Sequence, residues 1–172
     1  MRSRKFLMSI FLMVLLVNDE HKSMNTNLYE TDFYRWTFEQ AQFLELGKLE
    51  GLDLVNLAEE IISLGKQKQQ EISNRLGVLI GHILKWQYQP EKRTRSWQVT
   101  IQLQRAEIQD LLTDNPSLKS YIDMAIQRGF RSGLALVLSE TPIKKKDLPA
   151  VCPYVFEQLL DTNFPDDIEM EF

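Results

Sequence analysis

Leu76 to Trp97 reads LGVLIGHILKWQYQPEKRTRSW. Stepping about 100° per residue places Ile72, Leu76, Leu79, Ile80 and Ile83 on one helical face, with Val78 and Leu84 on opposite flanks. Apolar surface therefore wraps most of the circumference, which is the signature of a buried helix. The segment is too short to span a bilayer. It predicts the central helix of a helical bundle, over about 68–88, with helices packed around it.

Gly77 and Gly81 lie four apart on the Leu84 side, and Gly129 and Gly133 repeat the spacing later. Glycine inside a helix costs about 1 kcal/mol relative to alanine. Two such pairs predict two glycine faces packed against each other.

Pro90 cannot continue the central helix and biases Gln89 away from helical geometry. A polar loop follows, with Ser96 as the expected N-cap of the next helix. Between Lys85 and Trp97, four cations (Lys85, Lys92, Arg93 and Arg95) face one acid, Glu91, and interleave with Trp86, Tyr88 and Trp97. Lys85 points away from the apolar centre of its helix. His82 and Trp86 share one flank. Cations over aromatic faces suit anions, phosphates or nucleic acid. The plainer reading is a helix–loop–helix corner with tryptophans in the core and arginines solvated or paired internally.

Working outward, Thr31 or Asp32 caps a first helix carrying Phe33, Trp36, Ala41 and Leu44 and ending at Gly47. Asp53 caps a second, on which Leu54, Leu57, Ala58, Ile61 and Leu64 form an amphipathic stripe. Gly65 predicts a break or kink, and Lys66 to Arg75 a polar lead into the central helix. A fourth helix carries Trp97, Ile101, Ile108, Leu111 and Leu112 and ends at Asn115-Pro116. A fifth runs from there to about Glu140. Tyr154 to Leu160 makes a short last helix. No alternating strand and no repeat of 20–50 residues stands out. The expected fold is all-α, a compact multi-helix bundle of five to six helices.

The 172 residues fit one domain, taken as 24–172. Residues 1–23 are set apart. Arg2, Arg4 and Lys5 precede an apolar run, Phe6 to Val17, broken only by Ser9. That resembles a signal peptide without a small-x-small cleavage site. The preferred reading starts the domain at Met24, with an uncleaved membrane anchor as the alternative. Without the leader, four basic and two acidic groups go and the formal charge moves from −4 to −6. An acidic chain does not attract nucleic acid by bulk charge, so such binding would fall to the 85–97 corner. The single cysteine, Cys152, excludes an internal disulfide and fits the reducing cytoplasm.

Catalytic and metal chemistry find little footing. One histidine and one cysteine in the domain cannot fill a usual zinc site. No phosphate-binding glycine loop, H-E-x-x-H or G-x-S-x-G is present. Cys152, between Pro149 and Pro153 near a helix start, is open to a lowered pKa. Glu59 points away from the stripe. Glu60 lies on its flank, with Arg93, Arg95 or His82 as candidate partners. No catalytic set, metal or cofactor is assigned. The candidate binding residues are Glu60, His82, Lys85, Trp86, Arg93, Arg95 and Trp97.

The segments DFYRWTFEQAQFL (from Asp32), LDLVNLAEEIISLG (from Leu52), HILKWQYQPEKRTRSW (from His82), DNPSLKSY (from Asp114) and CPYVFEQLLD (from Cys152) resemble domain-of-unknown-function family twenty-nine, a bacterial family common in cyanobacteria. The resemblance covers about Leu28 to Phe164. It implies an all-α fold and a cytoplasmic setting, and carries no activity or catalytic residue. Three functions stay open: a binding or adaptor module meeting a protein or anionic ligand at the 85–97 corner, a nucleic-acid binder using that corner, or an enzyme using Glu60, His82 and Arg93 or Arg95.

Overall fold

The structure, a computed structural model, describes residues 28–166. The leader and the last six residues lie outside them. Among the described residues every regular element is helical, so the fold is all-α. After a helical stretch at 28–31 come α1 (Phe33–Glu45), α2 (Leu54–Tyr88), α3 (Arg95–Asp114), α4 (Ile122–Glu140) and the short α5 (Phe156–Leu160). None of these helices is long and apolar enough to cross a membrane. The chain divides into two compact units between Leu64 and Gly65.

In the first unit, Asp32 caps α1 by accepting from the Arg35 amide at 3.1 Å. Gly47, at φ +66°, turns the chain after the helix. Trp36 is buried, edge-on to Tyr29 at 4.9 Å between ring centroids and stacked on Phe33 at 5.6 Å. Buried Gln40 accepts from the Asp53 amide at 2.7 Å. Asp53 in turn accepts from the Asn56 amide at 3.3 Å, as expected of a cap.

Two expectations change. Gly65 neither breaks nor separates helices, because α2 is one 35-residue helix. Its propensity cost of about 1 kcal/mol is met by a following run of helix formers, tied by Lys68–Glu71 and Glu71–Arg75 pairs. The central helix therefore begins at Leu54, and its buried part begins at Ile72. The stripe of Leu54, Ala58, Ile61 and Leu64 is exposed, with only Leu57 half-buried.

In the second unit, Ile72, Leu76, Leu79, Ile80, Ile83 and Leu84 sit in one core with residues of α3 and α4. The two glycine pairs meet, as their spacing predicts. A Cβ on Gly129 would stand 2.9 Å from the Gly77 nitrogen, and one on Gly133 2.9 Å from the Gly77 oxygen. The backbones of α2 and α4 are in direct contact along this seam. The N-cap of α3 is Thr94 rather than Ser96; its hydroxyl accepts from the Trp97 amide at 3.3 Å, so the helix starts two residues early. Asn115-Pro116 opens a 3-10 stretch, Pro116–Tyr121, before α4.

Candidate functional site

The turn after α2 is tight: Pro90–Lys92 is a single 3-10 turn, and α3 restarts at Arg95. Six of the seven candidate residues lie here, in the second unit. Trp86 is core, and Trp97 packs half-buried against the core. Arg93 lies over the Trp86 ring at 4.9 Å and donates from Nε to the Trp86 carbonyl at 3.0 Å. That bond satisfies one of the open carbonyls at the end of α2. Arg95 is exposed.

Lys85 departs from the exposed cation that a basic recognition corner calls for. It does lie opposite the apolar stripe, yet only 2% of it is exposed. The reason is that Trp97 and Glu140 come over this side of α2. The Lys85 ammonium sits 4.8 Å from the centre of the Trp97 ring and donates to Glu140, the last residue of α4, at 2.6 Å. It also lies 3.3 Å from His82 Nε2. His82 Nδ1 is 2.9 Å from the Val78 carbonyl. A carbonyl can only accept, so Nδ1 carries the proton and Nε2 is left to accept from Lys85.

Glu140, Lys85 and His82 thus form a chain of polar contacts above Trp97. The bond from Lys85 holds the Glu140 carboxyl below its usual range. Burial first, and the Lys85 charge second, hold the His82 imidazole below its usual value. The cluster suits clamping the ends of α2 and α4 together.

Glu60 lies in the first unit. It accepts from the Tyr29 hydroxyl at 2.6 Å, and this bond is the main reason the phenol is pushed up to about 12. Its partner within the first unit is therefore an aromatic hydroxyl from the start of the described chain. Cys152 is half-buried, and burial pushes its thiol up rather than down. It lines an open, mostly apolar groove of about 1100 Å3 between α4 and the 150–157 segment, floored by Ile126 and Phe130.

Two residues were missed. Glu140 gives no signal beyond being an acid at a helix end. Arg105 does: it falls on the face of Ile101, Ile108 and Leu112, where a cation is out of place. It is buried, donates from Nε to the Leu159 carbonyl at 2.8 Å and from Nη2 to the Phe164 carbonyl, and so fastens the C-terminal segment.

Residues 28–165 match the model of the family described as Domain of unknown function DUF29. No curated protein and no solved structure matches the chain. The match spans most of the sequence, and the chain belongs to this family.

Proposed function

We propose that this member of the DUF29 family is a helical binding module of the bacterial cytoplasm that holds a protein partner through apolar contact. One observation carries the reading. Eleven large apolar or aromatic side chains of the first unit, from Phe33 to Leu64, are between 47% and 73% exposed. Monomeric soluble proteins rarely expose contiguous apolar patches beyond a few hundred Å2, and larger ones mark interaction surfaces. The single cysteine supports the reducing compartment.

The 85–97 corner is a weaker candidate surface than its composition suggested. Lys85 is clamped to Glu140 and Arg93 to Trp86. Neither is presented as a free cation to phosphate, which counts against nucleic acid. Glu60 accepts from Tyr29, and His82 is held by Val78 and Lys85, so each is already engaged, which counts against acid–base use.

The test is capture from the native cell with a tagged full-length chain, comparing wild type, Ile61→Glu/Ile62→Glu and Arg93→Ala/Arg95→Ala. A protein retained at high salt, lost with the isoleucine variant and kept by the arginine variant is the expected result. Nucleic acid released by salt and lost with the arginine variant would replace this reading with the nucleic-acid one.

A further inference from the structure

The N-terminal third of α2 carries an uncharged stripe whose layout is its own mirror. Leu54, Val55, Ile61 and Ile62 are each more than half exposed, and Ala58 between them is exposed too. On a helix, Leu54 and Ile61 lie about 40° and 60° to one side of Ala58, and Ile62 and Val55 lie about 40° and 60° to the other. The smallest side chain sits in the middle, with an aliphatic side chain three and four residues away in each direction. A two-fold interface needs this property, since residue i must meet j while j meets i.

Resting on the protein-binding reading above, we propose that the partner is a second copy of this chain, packed antiparallel with its α2 crossing at Ala58. The two-fold then sets Leu54 against Ile62, Val55 against Ile61 and Ala58 against itself. The small residue at the crossing lets the backbones approach, while the four aliphatic side chains close over them on both sides. The charges agree with this register. Asp53 faces Ser63, Glu60 faces Asn56 and Glu59 faces Leu57, so no like charges meet. A crossing between Glu59 and Glu60 would set those two acids against each other. A parallel pairing would set Glu59 against Glu59. Like charges directly opposed are unfavourable.

The stripe has no ionised side chain within it, so nothing in it would repel its own copy.

The test uses the full-length chain. Light scattering at micromolar concentration should give twice the 20.2 kDa chain mass. Ile61→Glu/Ile62→Glu should bring it to one chain mass with the circular dichroism spectrum unchanged. In a Cys152→Ser background, Ala58→Cys should form an intermolecular disulfide on copper–phenanthroline oxidation. Gln67→Cys, on the opposite side of the helix, should not. A single-chain mass without the 58–58 link overturns the second copy, even if the isoleucine variant still abolishes capture of some other protein; in that case the protein-binding reading survives alone. A dimer that ignores the isoleucine variant and lacks the link overturns it as well, and capture that also ignores that variant removes the binding reading with it.

Discussion

Gly129 and Gly77 stand so close that a Cβ on the former would lie 2.9 Å from the backbone nitrogen of the latter. A nitrogen in a helix cannot swing aside as a side-chain tip can. The α2–α4 spacing is therefore set by main chain against main chain, and any side chain at the seam must push the helices apart.

Gly129→Ala is expected to destabilise the protein by about 1–3 kcal/mol, the usual cost of overpacking, despite the gain of about 1 kcal/mol in helix propensity. Gly65→Ala meets open space and is expected to stabilise by up to about 1 kcal/mol. Urea midpoints measure both. A stabilising Gly129→Ala would show that the seam is not tight.

Glu140→Gln leaves the Lys85 ammonium buried with its carboxylate gone. Breaking a fully buried pair costs about 3–5 kcal/mol. Glu140 is 48% exposed, so about 1–3 kcal/mol is expected here. Lys85→Met keeps the aliphatic stem against Trp97 and returns Glu140 to water, so it should cost less. Thermal or urea unfolding of the two variants gives the order, and a reversed order would contradict the clamp.

His82 sets a pH limb. Its folded pKa is depressed, so between that value and the ordinary 6.5 the unfolded chain binds more protons than the folded one. The stability it contributes is complete above about 6.5 and is lost as pH falls through the folded pKa. Glu140, also depressed, adds a second loss below the ordinary 4.5. Stability measured against pH should decline first below 6.5, and His82→Gln should remove that upper limb. Proton resonances of His82 should titrate below 6.5, and move upward in Lys85→Met, where one of the causes of the depression is gone.

Arg93 and Arg95 should separate. Arg93→Ala removes a ring contact and a bond to the end of α2, and is expected to cost about 1–2 kcal/mol and to shift Trp86 fluorescence. Arg95→Ala, at an exposed position, should leave the unfolding midpoint where it is. Equal effects would mean that Arg93 does not anchor the turn.

The glycine seam was legible because a residue that weakens a helix, repeated at one spacing in two helices, has few reasons other than close approach. The central apolar face was legible from its angles alone. Lys85 was not. Its direction on the helix was readable, but burial depends on whether Glu140 and Trp97, 55 and 12 residues further along, come round to cover it. Helix continuity through Gly65 was misread because a local propensity cost was weighed without the ion pairs beyond it. The stripe of Leu54, Leu57, Ala58, Ile61 and Leu64 is legible as an apolar face, while periodicity is silent on what covers that face.

At the other end of the chain, Arg105 donates to the carbonyls of Leu159 and Phe164, and the Trp86 indole donates to the carbonyl of Asp166 at 3.3 Å. All three acceptors are main-chain atoms, present whichever amino acid occupies the position. The core thus fixes the spelling of this closing segment only where a side chain turns inward, at Leu159 and Phe164, and holds the rest by its path alone. Outward-facing letters there, Thr162 and Asn163 among them, are free to be rewritten while the route they follow stays the same.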